Sequence, residues 1–286
     1  MLRRHTARAA AAGLLITIGM LAAACTTPTP PPPVNWSFKA TSMTVLNVQD
    51  EVCDPIFGIC VNSEDEPYLY QISFRVKIGE PNSAQTSVVK GSELPETSKN
   101  QTRTLTGGQQ AALTFNNIQP LDLLEALNPA NKLEIFGTYT WAAESDLINS
   151  LGPGASATAD SLRSALNSTV ANSQLPAGDT DSLIRLILNN LGTALNILVS
   201  NLPCLGLCDD VLGGAFFIGI GANGSLGQLV DNSLTGFAIP SFALPGDVPP
   251  DVQGGGFFTL TGPKSFTQSF SGADGQHRYN FTAAQA

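Results

Sequence analysis

Apolar side chains recur at every second position from Tyr68 to Ile78. Tyr68, Tyr70, Ile72, Phe74, Val76 and Ile78 alternate with Leu69, Gln71, Ser73, Arg75 and Lys77. A period of two predicts a strand with one face in a core and the other toward water. Gly79-Glu80-Pro81-Asn82 closes it with turn chemistry. Upstream, Trp36, Phe38 and Ala40 keep one phase, and Met43 and Val45 take the opposite phase. A strand carrying one extra residue near Ser42 makes that change of phase. Shorter strands are predicted over 86–90, 102–106 and 111–118, and another runs through Leu133, Ile135, Tyr139 and Trp141.

The period then changes. Ser161 to Ala171 reads as a short helix, with Asp160 as its cap. Leu183, Ile184, Ile187, Leu188, Leu191, Leu195, Leu198 and Leu202 follow in steps of three and four, predicting an amphipathic helix over 181–202 that Pro203 ends. Its Asn189, Asn190, Thr193, Asn196, Ser200 and Asn201 argue against a membrane span, so the helix is expected to pack on the protein. Gly214 to Ala222 is apolar on both faces, as in a buried central strand. After a Pro/Gly-rich passage at 239–256, three strands end the chain at Phe257–Leu260, Ser265–Phe270 and Arg278–Ala283. The fold expected is mainly β: an antiparallel β-sandwich with a helical insertion (α+β). Residues 36–143 and 209–286 form its two parts, 144–208 the insertion, and the first and last strands pair. An independent helical domain is the competing arrangement.

The start of the chain obeys other rules. Arg3, Arg4 and Arg8 precede a 16-residue apolar run, Ala9–Ala24, which ends at Cys25. A spanning helix needs about 20 such residues, so residues 1–24 read as an export signal. Residues 25–35 are a Pro-rich linker, extended in the polyproline manner. Leu21-Ala22-Ala23-Ala24-Cys25 resembles a bacterial lipobox, although the large aliphatic residue stands four positions before the cysteine instead of three. With its Ala-rich signal and Pro/Thr linker, the chain resembles bacterial exported lipoproteins, of actinobacterial look, that carry a β-sandwich. That resemblance implies cleavage before Cys25, a diacylglycerol on its thiol and residence at the outer face of the cell membrane. Ala22-Ala23-Ala24 also fits the general signal peptidase, which would release a secreted protein.

Composition narrows the function. The full chain has 14 basic and 23 acidic side chains. The signal takes three arginines and no acid, leaving 11 basic and 23 acidic residues and a net charge of −12. Such a chain lacks the basic face that nucleic acid requires. Setting Cys25 aside leaves Cys53 with Cys60 and Cys204 with Cys208, two close pairs that outside the cytoplasm read as disulfides.

Candidate chemistry is sparse. His277 is the one histidine beyond the signal, and neither Gly-x-Ser-x-Gly nor His-Glu-x-x-His occurs. It is expected to be an exposed turn residue, and the protein is expected not to be an enzyme. Gly219-Ile-Gly-Ala-Asn-Gly224 has the letters of a dinucleotide fingerprint without an evident βαβ unit, so tight packing or a turn explains its glycines better. Asn62, Glu64, Asp65 and Glu66 concentrate oxygen ligands before the strand at Tyr68. Asp274 could join them around Ca²⁺; the alternative is a solvated acidic turn. Ser63 to Tyr70, and Gly272 to Phe281 with its Tyr-containing strand, resemble segments of bacterial exported β-sandwiches, a likeness that implies no activity. Asn35, Asn100, Asn167, Asn223 and Asn280 begin glycosylation-type triplets, incidental in a bacterial chain. The function expected is a cell-envelope lipoprotein presenting a binding or structural sandwich to an envelope protein. The alternative is a carrier of lipid or a small apolar ligand, with the helical insertion as its lid.

Overall fold

A computed structural model describes residues 31–48, 52–53, 60–61, 64–145, 151–174, scattered positions between 182 and 193, 211–235, 239, 252–272 and 275–286. Its strands are β1 (Val34–Asn47), β2 (Val52–Cys53), β3 (Cys60–Val61), β4 (Glu64–Asp65), β5 (Pro67–Lys77), β6 (Gln85–Lys90), β7 (Thr97–Ser98), β8 (Thr102–Thr104), β9 (Leu113–Ile118), β10 (Glu134–Glu144), β11 (Val211–Ile220), β12 (Val252–Thr259), β13 (Lys264–Ser271) and β14 (Gln276–Gln285). The helices used below are α1 (Leu123–Ala126), α2 (Leu151–Ser168) and α3 (Gly224–Leu234).

Two five-stranded sheets form the sandwich. The first runs β13-β14-β1, and β8 and β9 share the far edge of β1; the second runs β12-β11-β10-β5-β6. The first and last strands do pair, from Trp36↔Gln285 to Asn47↔Gln276. The register slips between Ala40 and Ser42, where the sequence changes phase. The bulge turns both phases inward, so Trp36, Phe38, Ala40, Met43 and Val45 are all buried. Among the described strands pairing is antiparallel except for β11 with β12, which is parallel and makes the second sheet mixed.

The second sheet is covered on one face by α2 and over part of the other by the first sheet, so the expected water-facing side of β5 is kept at Ser73, Arg75 and Lys77 and lost at Leu69 and Gln71. Tyr70, Ile72, Phe74 and Val76 pack with Ala155, Ala159, Leu162 and Leu166 of α2. Leu69 faces the other way, into a core shared with Trp36, Phe38 and Met43 of the first sheet, and Gln71 is fully buried. A central strand loses its wet face where a second layer covers it and keeps it where the layers part. Helix α2 begins ten residues before the predicted start. Asp160 is therefore an exposed interior residue paired with Arg163 at 2.8 Å, not a cap. The predicted helix over 181–202 lies largely outside the described residues. Among the described residues no helix is long and apolar enough to cross a membrane.

Candidate functional site

A sandwich has two seams where the edges of its sheets face each other, and here the two differ. At one, β12 of the second sheet meets β13 of the first. The Gln253 amide donates to the carbonyls of Leu212 (3.0 Å) and Ser271 (2.7 Å), and its oxygen accepts from the Ser271 N–H at 2.7 Å. Gln268 donates to the Gln253 carbonyl at 3.3 Å. Two glutamines thus sew that seam shut.

The opposite seam is open. Between β6 and β9 lies a groove of about 310 Å³, at the lower end of the range for ligand sites. Ser73, Arg75, Thr86 and Ser87 line it from the second sheet, and Thr114 and Asn116 from the first. Val89, Leu113 and Phe115 supply its apolar surface. The ring of Phe115 lies 5.0 Å from that of Phe136, which fixes the wall from behind. The Ser73 and Ser87 hydroxyls bond each other at 2.6 Å. Arg75 crosses the groove: Nε donates to Glu134 Oε1 at 2.5 Å and Nη1 to the Asn116 carbonyl at 3.2 Å. The Glu134 side chain is 3% exposed, so its charge is met by Arg75 and not by water. The groove is therefore polar but carries no uncompensated charge. Sequence reasoning missed it because no residue type marks it; only the register of β6 and the placement of β9 create it.

His277 is not an exposed turn residue. It is fully buried, and Nε2 lies 2.7 Å from Oδ2 of Asp65, itself 1% exposed. Strand alternation explains the pairing. In β4 consecutive side chains point to opposite sides, so Glu64 stays exposed and bonds the Ser98 hydroxyl at 2.8 Å while Asp65 turns inward. The contact ties β4, which leads into the second sheet, to β14 of the first. Tyr279 lies beside it, fully buried, its hydroxyl without a partner among the described residues. Burial, then the Asp65 charge and Tyr68, hold its phenol well above the ordinary tyrosine range. With no exposure, His277 cannot touch a substrate, so the group serves as a clasp.

Among the described residues the acidic side chains Glu64, Asp65 and Glu66 do not gather as a calcium site would require, and the rest of that expected site lies outside the described residues. Asp65 is committed to His277. Glu64 instead lies against Glu96, and their shared hydrogen bond and mutual repulsion push the Glu96 carboxyl above the ordinary carboxylate range. Among the described residues no group of three metal-ligating side chains comes together. Asn62 and Asp274 lie outside the described residues, as do Cys25, Cys204 and Cys208. Cys53 and Cys60 are direct register partners in the β2–β3 pair.

The Gly219–Gly224 element is corrected in its setting but not in its reading. A βαβ unit does surround it: β11 leads into α3, and β12 returns parallel to β11. Leu226, Val230 and Leu234 are buried at steps of four, the signal that could have disclosed α3. Yet the helix start is already occupied by an anion from the chain itself. The Asp122 carboxylate accepts from the Ser225 hydroxyl at 2.5 Å and also from the Leu123 N–H. The Ser225 hydroxyl most of all, then the N–H groups of Leu123, Leu226 and Ser225, hold its carboxyl below the ordinary value. Gly224 has φ +53°, and a Cβ there would sit 3.2 Å from that carboxylate. A Cβ at Gly219 would meet the rings of Phe136 and Phe258 at 2.6–2.7 Å. The glycines serve a turn and close packing, and the place a phosphate would take at a helix N-terminus is filled.

The chain was compared with protein-family models, curated proteins and solved structures, and none of them matches.

Proposed function

We propose that this protein is an exported lipoprotein, held at the outer face of the cell membrane through an acylated Cys25, and that its sandwich is a non-enzymatic binding module. The open seam is its recognition surface. One observation carries this reading: one seam is sewn by Gln253 and Gln268, while the other is left as a groove of about 310 Å³ lined by rigid strands. Sites on strands are held in place by the fold, so the groove exists before anything occupies it. The Pro-rich linker fits the same account, since about 3 Å of reach per residue holds a domain clear of its anchor. The non-enzymatic assignment rests on the full burial of His277. The carrier reading draws less support, because α2, the described part of the helical insertion, packs on β5 and β6 as a filled layer.

Two measurements test the proposal. Intact mass of the native protein should show the leader removed and a diacylglyceryl cysteine at position 25; an unmodified chain with its leader in place refutes the anchor. A photo-crosslinking amino acid replacing Thr114 should give adducts in living cells, whereas one replacing Ser265 on β13 should not. Equal labelling from both positions refutes the seam as the binding surface.

A further inference from the structure

We infer that the groove takes an extended segment of a partner protein, which joins the second sheet as an added strand beside β6. The inference rests on the open seam being the binding surface. Strand β6 pairs with β5 over six consecutive positions, from Tyr70↔Lys90 to Arg75↔Gln85, with no bulge. Its other side has no strand partner among the described residues. A regular edge of this kind presents a row of backbone donors and acceptors, and proteins ordinarily guard such edges with proline, bulges or inward charges. Gln85-Thr-Ser-Val-Val-Lys90 has no proline. Its one charge, Lys90, is drawn away to Glu93 at 2.9 Å and to the Tyr68 ring at 4.6 Å. The edge at the other seam is guarded: β12 carries Gly254 and Gly255 in the positive-φ region, and its pairing with β11 is broken by a bulge.

The walls suit a peptide backbone better than a charged headgroup or a small anion. Arg75, the one charged side chain lining the groove, is already matched by Glu134 and by a main-chain carbonyl. An incoming strand would meet hydroxyls (Ser87, Thr114) and apolar surface (Val89, Leu113), an arrangement that reads a peptide of alternating neutral polar and apolar residues. A second copy of this chain is a poor occupant. Its own seam is concave, so two grooves facing each other leave both unfilled, and mature chains of net charge −12 repel at close range.

The test uses the full mature protein and a phage-displayed random dodecapeptide library. Selected peptides should bind with neutral, alternating sequences and slow amide exchange within β6 by about tenfold or more. Ser87→Lys and Thr114→Arg, which fill the groove from opposite walls, should each weaken that binding by about tenfold or more while retaining a native melting profile; two walls guard against one variant misfolding. Failure to select any peptide overturns the inference, and so does protection confined to strands other than β6. In either case, adducts at Thr114 in cells would keep the binding module and remove only strand addition. Protection of β6 that grows with protein concentration and needs no peptide would make a second copy the occupant, and would also overturn it.

Discussion

Removing the imidazole from the clasp should cost far more than a typical single substitution. His277 and Asp65 are 0% and 1% exposed, with 2.7 Å between Nε2 and Oδ2. Taking both groups out of water offsets most of what their contact contributes, so the intact pair adds little net stability. Orphaning one partner is different, because the remaining carboxylate keeps its desolvation cost without its nearest hydrogen-bond partner. His277→Ala should therefore destabilise by about 3–5 kcal/mol. At about 2–4 °C per kcal/mol for a domain of this size, the melting temperature falls by roughly 6–20 °C. Asp65→Asn should be milder, since the amide still bonds the ring. Chemical denaturation of wild type, H277A, D65A and the double variant at neutral pH gives the coupling, expected to exceed about 1.5 kcal/mol in favour of the pair. A coupling under about 0.5 kcal/mol, or an H277A protein within about 1 kcal/mol of wild type, would refute the clasp as a tie between the sheets.

Tyr279→Phe should be neutral or stabilise by about 1 kcal/mol, because it deletes a buried hydroxyl that has no partner among the described residues; a loss above about 1 kcal/mol on denaturation would point to a hidden bond. In spectrophotometric titration Tyr279 should stay un-ionised while the fold survives, and its burial makes the fold lose stability as pH rises past the ordinary tyrosine value of 10.0. Asp122 works at the other end of the scale. Its folded carboxyl titrates below the ordinary 3.8, so its contribution is complete above that pH and is lost as acid protonates it in the fold. Asp122→Asn should cost about 1 kcal/mol near neutrality and flatten the acid limb of the melting curve; an unchanged acid limb would show that another group governs it. Cys53 and Cys60 are register partners in an antiparallel pair, where Cα spacings of about 4.5–5.5 Å fall within disulfide range. In the denatured, unreduced mature protein neither Cys53 nor Cys60 should react with a thiol reagent, and reduction of that pair should cost about 2 kcal/mol; labelling of either residue before reduction, read by peptide mapping, would defeat the pairing.

The sequence by itself determined what depends on neighbours along the chain. Alternation from Tyr68 to Ile78 specifies a strand because pleated side chains have a period of two. The phase change near Ser42 specifies a bulge because only an extra residue lets Trp36 and Val45 share one core. Apolar residues on both faces of Gly214–Ala222 specify a buried strand. Contacts between distant residues were not legible. Asp65 reads as part of an acidic turn and His277 as a turn histidine; the β1–β14 pairing that closes the fold brings them together from 212 positions apart. Of the alternate positions of β5, Leu69 and Gln71 are buried because a second sheet covers them, while Ser73, Arg75 and Lys77 keep partial exposure where the sheets part. Gly219–Gly224 looked isolated because the return strand β12 begins at Val252, far beyond any local window. The groove lies furthest from the sequence: it is the space left where two sheet edges fail to meet, and its shape depends on how two layers stack, which no local pattern encodes.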